Sequence, residues 1–347
     1  MGANRSSALF FAGLGAGIVL LFLANLFWGS VGIPAEGVVR ALLGGSSGRE
    51  TWDYIVLQSR LPQAVTAVLA GAALAVSGLM LQTVFNNPLA GPSILGINAG
   101  ASLGVAVVLL LTGGTLGGSF SGTPLGGYLA VVAGAFAGAS LVLAVIIFFS
   151  TLVRSNVMLL IIGLMVGYIT SSLISLLNFF ASAEGVFSYT MWGMGDFSGV
   201  SLEQMPYFGG PVAAGLAVSL LLVKPMNALL LGERYAENLG VRVRRVRIWM
   251  LAATGLMTAV TTAFCGPVSF IGLAVPHMAR LLLGSSNHTI LLPVTLLLGA
   301  AVALFCNLCC TLPGGSSVLP LNVITPVLGV PVILYVIVNQ KRIQYFN

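Results

Sequence analysis

Few side chains in this sequence could carry out catalysis or bind a metal. Their spacing along the chain matches few known catalytic or metal-binding motifs. Cys306, Cys309 and Cys310 have the spacing of a redox or metal-binding motif. They end an apolar run with no histidine beside them, so we interpret them as small apolar side chains. His277 and His288 have no adjacent carboxylate or second imidazole in the sequence, which disfavours a metal site and favours a structural role.

Nucleotide hydrolysis is equally poorly supported. A phosphate-binding P-loop requires Gly-x4-Gly-Lys-Ser/Thr. The only lysines are Lys224, which precedes a proline, and Lys341, which precedes an arginine. We therefore expect no cofactor in this chain and look for its source of energy elsewhere.

The composition indicates the class of protein to which these side chains belong. Hydrophobic residues make up 58% of the chain, charged residues 6%, and the mean hydropathy is +1.05. A soluble protein of this size needs a larger charged fraction to cover its surface. The apolar runs are continuous rather than alternating, which favours helices over a β-barrel. We predict an all-α integral membrane protein, surrounded by lipid, with a single domain over residues 1–347.

The apolar runs predict about ten transmembrane helices, since a span requires roughly 20 apolar residues. Two polar excursions, 29–59 and 181–206, and one long polar stretch, 224–247, separate some of them. The predicted spans are 8–28, 61–85, 94–111, 125–149, 157–180, 207–223, 248–265, 267–283, 290–308 and 322–338.

The charges predict the orientation of these spans. If the first tail is cytoplasmic, alternate loops place eleven of the fourteen Lys and Arg inside, including Arg154, Lys341, Arg342 and the six in 224–247. Six of the eight acids then lie outside. This split follows the positive-inside rule and predicts that both termini are cytoplasmic. The net charge of +6 thus reflects topology, and we expect no nucleic-acid partner.

A short internal echo suggests an inverted repeat. The segment 91–96 reads GPSILG, and 266–272 reads GPVSFIG. Five predicted spans separate them, so they fall on opposite sides of the membrane, as an inverted repeat of spans 2–5 and 7–10 requires. Such repeats are typical of transporters. Glycines one helical turn apart predict close helix packing, at Gly13 and Gly17, Gly100 and Gly104, Gly134 and Gly138, and Gly163 and Gly167.

Several motifs resemble those of the permease subunits of type II ABC importers, a family that takes up ferric siderophores, haem and vitamin B12. The resemblance covers nearly the whole chain from about residue 30 and does not choose the substrate. The motifs are Arg60-Leu61-Pro62, Gln82-x4-Asn87-Pro88-Leu89, Met191-Trp192-Gly193-Met194-Gly195, Gly232-Glu233-x2-Ala236-x2-Leu239-Gly240 and Phe270-Ile271-Gly272-Leu273-x-Val275-Pro276-His277-x2-Arg280.

The resemblance implies an assembly in a bacterial inner membrane. It implies ten helices per subunit and a homodimer with the translocation pathway on its two-fold axis. It also implies two cytoplasmic ATP-binding cassette subunits, which would hold ATP and Mg, and a periplasmic substrate-binding protein. On this basis 224–247 is the cytoplasmic coupling region, and 29–59 and 181–206 are periplasmic.

The coupling residues implied by the resemblance are Gly232, Glu233, Ala236, Leu239 and Gly240. Glu233, Ala236 and Gly240 are spaced i, i+3 and i+7, on one face of a short helix that Gly240 ends. We expect the small residues of that face to lie in a groove of the ATPase. The alternative is an ordinary basic loop that obeys the positive-inside rule.

Two cytoplasmic gates follow from the same resemblance. Asn87 and Leu89 match one constriction, and Ser155 and Asn156 match the other. Short polar side chains and one leucine close a pore without holding the ligand strongly. The alternative for Asn87 is plain turn chemistry, because Asn-Asn-Pro favours a turn anyway.

Docking of the binding protein is implied at Arg60, which matches an arginine that pairs with a carboxylate on that partner. The sequence departs from the family pattern nearby. Gln63 stands where some members have a second arginine, Thr311 where many carry one, and Asn307 in place of the usual aspartate. Binding through a different charge pattern, or through mainly apolar and polar contacts, both remain open.

Two rival functions remain. A secondary transporter with an inverted repeat requires Asp, Glu or His for ion coupling within its spans, and every acid here falls in a polar segment. A membrane enzyme requires a polar catalytic cluster at the membrane surface, which the sequence does not offer. Co-purification with a nucleotide-hydrolysing subunit separates the importer from both.

Overall fold

The fold is all-helical across the part of the chain that the computed structural model describes, residues 2–45, 48–111, 124–153, 155–311 and 318–338. Arg154, Lys341 and Arg342, which contribute to the predicted orientation, lie outside those residues. The helices are α1 (Gly2–Phe27), α2 (Ala35–Leu42), α3 (Glu50–Tyr54), α4 (Leu61–Phe85), α5 (Ile97–Leu111), α6 (Pro124–Leu152), α7 (Asn156–Phe180), α8 (Ala183–Gly193), α9 (Met205–Leu221), α10 (Val223–Leu229), α11 (Glu233–Asn238), α12 (Val243–Cys265), α13 (Ile271–Leu283), α14 (His288–Cys310) and α15 (Leu321–Val338).

The helices agree with an integral membrane protein. Among the described residues, six are long and apolar enough to cross a membrane, or seven if α9 and α10, which meet at 55°, form one bent span. One of the six runs without a break from Glu50 to Phe85, because the π-helical turn Ile55–Arg60 joins α3 to α4. The apolar helices α5, α13 and α15 are shorter. The total of ten spans therefore stays a prediction.

Two local differences from the sequence prediction have clear causes. Span 8 was expected to begin at residue 267, but α13 begins at Ile271. Gly266 and Phe270 both have positive φ, 71° and 65°, which a continuous right-handed helix excludes. The excursion 181–206 contains α8, whose start is capped by Ser182, since its side chain accepts a hydrogen bond from the Gly185 amide.

The packing of the helices repeats between the two halves of the chain. In an inverted repeat α4, α5, α6 and α7 correspond to α12, α13, α14 and α15. Packing of α4 on α14 then corresponds to packing of α12 on α6, and both pairs are present. The pairs α5–α6 and α13–α14, and the pairs α5–α7 and α13–α15, are likewise both present. This pattern agrees with the predicted repeat of spans 2–5 and 7–10.

Glycines allow the closest approaches between helices. A Cβ atom at Gly100 would lie 2.5 Å from the carbonyl oxygen of Gly138, so α5 and α6 meet backbone to backbone. Gly104 and Gly134 meet in the same way one turn further on. These two glycine pairs therefore pack as predicted, whereas a Cβ at Gly13 or Gly17 would meet nothing within 4 Å.

The two echo segments lie on either side of one cavity. Residues 91–94 and 268–270 line one cavity of about 200 Å³ between them. Beside it α4 and α13 touch through glycines: a Cβ at Gly272 would lie 2.8 Å from the carbonyl oxygen of Leu74. A Cβ at Gly78 would collide with the backbone of Gly272. At this point α4 and α13 thus meet backbone to backbone, without intervening side chains.

Candidate coupling and gating site

The short helix α11 is delimited by two glycines. Gly232 precedes it with φ 99°, and Gly240 follows it with φ 84°, a backbone region that glycine adopts without steric cost. The Val241 amide donates to the Ala236 carbonyl at 3.0 Å, and the Gly240 amide donates to the Glu237 carbonyl at 2.9 Å. These bonds satisfy the last carbonyls of the helix. Both glycines are therefore needed for α11 to form as an isolated turn and a half.

The predicted coupling residues on α11 and beside it differ in exposure. Ala236 is completely buried within its own chain, whereas Gly240 on the same face is exposed, so docking of that face in a groove of the ATPase stays a prediction. The exposed apolar side chains are Leu231, Tyr235 and Leu239, exposed by 56%, 53% and 59%. Only Tyr235 lies within α11, and the two leucines flank it. Of these three, sequence reasoning named only Leu239.

Glu233 joins α11 to two long helices. Its Oε1 atom accepts a hydrogen bond from Nδ2 of Asn156 at 2.9 Å and one from Nη2 of Arg247 at 2.6 Å. The Arg247 side chain is 9% exposed and that of Glu233 41%. Close by, Nη2 of Arg244 donates to the carbonyl of Thr151 at the end of α6. Glu233 thus joins α11 to α7 and α12, and Arg244 joins α12 to the end of α6.

The first predicted gate lies in the turn that ends α4. Asn86 has φ 45° and ends the helix, and the Asn87 side chain accepts a hydrogen bond from the Leu89 amide at 2.9 Å. This hydrogen bond stabilises the turn, which is the alternative role of Asn87 given by the sequence. Leu89 is exposed by 41% and is available to close a pathway. Gating by either residue stays a prediction.

Buried polar residues on α4 and α13 hold that turn. Nε2 of His277 donates to the Pro88 carbonyl at 2.7 Å, which fixes the proton on that nitrogen because a carbonyl can only accept. Nη1 of Arg280 donates to Oε1 of Gln82 at 2.6 Å, and Nε2 of Gln82 donates to the Leu273 carbonyl at 3.3 Å. His277 therefore has the structural role expected of it, in support of the gate turn.

The second predicted gate lies at the start of α7. The Ser155 hydroxyl accepts a hydrogen bond from the Met158 amide at 3.4 Å, as an N-cap does. Asn156 extends toward α11 and contacts Glu233. The structure thus connects one residue of this gate directly with the coupling segment. The sequence motifs identified Asn156 and Glu233 separately. They did not predict the contact between them, because the two residues lie 77 positions apart.

Arg60 lies at the other end of the molecule and is 6% exposed. Nη1 donates to the carbonyls of Leu26 at 2.9 Å and Phe27 at 3.1 Å, and Nη2 contacts the Val31 carbonyl. These interactions cap the C-terminal end of α1, where carbonyls lack helical partners. Docking of a binding protein on Arg60 stays a prediction, and the structure gives this side chain a second role.

Two of the three residues that depart from the family pattern, Gln63 and Asn307, form a neutral network beside Arg60. Nε2 of Gln63 donates to Oδ1 of Asn307 at 3.0 Å, and Nδ2 of Asn307 donates to Oδ1 of Asn25 at 2.8 Å. Nδ2 of Asn25 in turn donates to the Leu304 carbonyl at 3.1 Å. The amides connect α4, α14 and α1 along the wall of a cavity of about 250 Å³. Within the described ranges, no three or more His, Cys, Asp or Glu side chains cluster as metal ligands would.

Residues 17–339 match the model of the FecCD transport family. Two relatives are vitamin B12 import system permease proteins named BtuC. The one from Citrobacter koseri is 34% identical over 293 residues, covering 84% of this chain and 84% of that protein. The one from Escherichia coli is 34% identical over 293 residues, covering 84% and 85%.

A solved structure is similar along almost its whole length. It is described as an inward-facing conformation of a metal-chelate type ABC transporter. The TM-score is 0.80 at 27% sequence identity, and the match covers 96% of this chain and 99% of that chain.

Proposed function

This chain belongs to the FecCD transport family, and from that premise we propose that it imports a bulky metal chelate, namely a ferric siderophore, haem or cobalamin. It is a multi-pass permease subunit of a bacterial ABC importer, and ATP hydrolysis is the task of a separate subunit. In the proposed assembly it lies in the inner membrane with both termini in the cytoplasm. A periplasmic binding protein delivers the chelate, and two ATP-binding cassette subunits contact Leu231, Tyr235 and Leu239.

The observation that carries the proposal is the geometry of 231–247. An isolated short helix projects apolar side chains into the aqueous phase and is fastened by charged side chains to long helices. Such a helix has little reason to expose leucine and tyrosine unless a partner covers them. An ATPase subunit that binds these side chains would displace α11 and, through Glu233, the long helices α7 and α12.

A homodimer is proposed from the surface of α7. Among its described side chains only Leu159, Gly163 and Thr170 are buried. The exposed surface also carries Ser171, Ser172 and Ser175 in the outer half of the helix. Polar side chains within membrane-spanning helices face protein or water rather than lipid. We assign this face to the interface with a second copy and to the pathway between the two copies, which alternating access would open on either side.

The test is reconstitution. The chain is purified together with its ATP-binding cassette subunit and binding protein, placed in proteoliposomes, and supplied with cobalamin, a ferric siderophore or haem. Uptake of one of these that requires ATP and the binding protein supports the proposal. Uptake that persists without the ATPase and collapses with an ionophore supports a secondary transporter instead.

A further inference from the structure

One carboxylate is shared by three separate elements at the coupling end. Glu233 is the first residue of α11, Asn156 is the first residue of α7, and Arg247 lies in the second turn of α12. A predicted gate residue and a predicted coupling residue are therefore in direct contact. Nothing in the sequence pattern of either motif requires it.

We propose that the Asn156–Glu233 hydrogen bond transmits displacement of the coupling helix to the gate, with Arg247 as the positioning residue that aims the carboxylate. This rests on the proposed function, because displacement of α11 presupposes an ATPase bound there. When α11 moves, the bond pulls the start of α7, or it breaks and releases Ser155 and Asn156.

Arg247 fixes the carboxylate from one side. Its side chain is only 9% exposed, and a buried guanidinium without an anion is costly. Glu233 therefore stays against Arg247 while α11 is docked, and the same Oε1 atom remains in reach of Asn156. An arrangement in which Glu233 turned into water would leave a buried cation unpaired.

The short range of a hydrogen bond makes the link sensitive to small movements. The Asn156–Glu233 distance is 2.9 Å, and such a bond weakens steeply beyond roughly 3.2–3.5 Å. A displacement of α11 of about 1 Å is thus sufficient to break it. Each such displacement must be followed by α7 or must release the gate.

The competing interpretation is that the three side chains only stabilise the segment. A purely stabilising contact would alter the melting temperature and the yield of complex, and would leave the ratio of ATP hydrolysed to substrate imported unchanged. If the Asn156–Glu233 hydrogen bond transmits movement, its loss changes the ratio of ATP hydrolysed to substrate imported while the complex stays assembled. The ratio is therefore the quantity to measure.

The experiment is a double-mutant cycle in proteoliposomes that contain the complete importer. Asn156→Ala and Glu233→Ala should each raise the ratio about tenfold, as loss of a hydrogen bond to a charged group does. The double variant should raise it no further, because both substitutions remove the same bond. A double variant in which the two effects multiply, to about a hundredfold, or singles with an unchanged ratio, would overturn the link.

Arg247 is tested by a conservative and a disruptive variant. Arg247→Met should raise the ratio as Glu233→Ala does, whereas Arg247→Lys should keep it within about twofold, because the cation is retained. An unchanged ratio in Arg247→Met would remove the positioning role. Glu237→Gln is the matched control, since it removes an equal charge from an exposed residue of the same helix.

Failure of the link and failure of the proposed function give different results. If the unmodified chain does not co-purify with an ATP-binding cassette subunit, the proposed function is wrong and so is the link. If every variant co-purifies normally and the effects in the cycle multiply, only the link is wrong.

Discussion

The two ends of this molecule hold their helices together with different chemistry. At the coupling end, Glu233 and Arg247 form an ion pair that also engages α7. At the opposite end, Arg60 is satisfied by backbone carbonyls, and the amides of Gln63 and Asn307 replace charges. Loss of one member of a buried ion pair leaves a bare charge, whereas loss of a neutral amide leaves a hydrogen bond unmade. The coupling end is therefore the more sensitive of the two to single substitutions.

The largest effect on stability is expected from Glu233→Leu. It leaves Arg247 buried and unpaired, which costs 3–5 kcal/mol for a fully buried pair, but about 2 kcal/mol here because Glu233 is 41% exposed. Arg247→Met should cost about half as much, roughly 1 kcal/mol, since the remaining carboxylate can be hydrated. Thermal unfolding of the purified complex measures both. If Arg247→Met proves more damaging than Glu233→Leu, the explanation by a buried unpaired cation is wrong; if Arg60→Met exceeds Glu233→Leu, the asymmetry between the ends is wrong.

The next largest effect is expected from Arg60→Met at the opposite end. Carbonyls of Leu26 and Phe27 lose their donor, at a cost of about 1.5 kcal/mol. The same variant sharpens the docking prediction, with Arg60→Glu as its companion. Affinity for the binding protein should fall in both if Arg60 contacts that partner. Normal affinity with a lowered melting temperature would restrict Arg60 to capping α1.

A smaller effect is expected from the neutral network. Asn307→Leu should cost about 1 kcal/mol, because Gln63 and Asn25 each lose a partner. Gln63→Met with Asn307→Leu should cost little more than Asn307→Leu alone, since the second change removes a group already left unpaired. Unfolding of the two single variants and the double variant completes the cycle. Simple addition of the two losses would show that the amides act separately.

The smallest effect on stability is expected at the exposed side chains of the coupling segment. Leu239→Ser and Tyr235→Ser should change stability by less than about 0.5 kcal/mol, because both side chains are half exposed. They should nevertheless weaken binding of the ATPase subunit by about tenfold, as loss of an apolar anchor does. Affinity measured with the detergent-solubilised permease checks this, and Glu237→Gln should bind normally.

Helix positions were predictable from the sequence because hydrophobicity reports directly on the surroundings of a helix. The expected span 61–85 is α4 residue for residue, and 157–180 is α7 apart from one residue. The sequence predicts a loop over 181–206, because α8 mixes polar, aromatic and small residues without a long apolar run. The unwound segment ending at Phe270 escaped prediction because positive φ in a non-glycine residue has no local signature.

The candidate site was only partly predictable. Motifs identified Glu233, Ala236 and Asn156 separately, but periodicity did not indicate that Ala236 is buried within its own chain. A face of small residues fits equally well against a partner or against its own chain, and only packing distinguishes them. Contacts such as Asn156–Glu233 join positions 77 residues apart, and no periodic pattern encodes them.

The bare junction between Gly78 and Gly272 constrains how the two halves of the repeat can move. Side chains that interdigitate can change rotamer and let helices slide past each other, but two backbones in contact have nothing to rearrange. We therefore expect α4 and α13 to resist sliding at this contact and to move by tilting about it. The methyl group introduced by Gly78→Ala would collide with the Gly272 backbone and push α4 and α13 apart. The Gly78→Ala permease should therefore assemble but transport substrate slowly. A normal transport rate would show that the helices do not tilt about this contact.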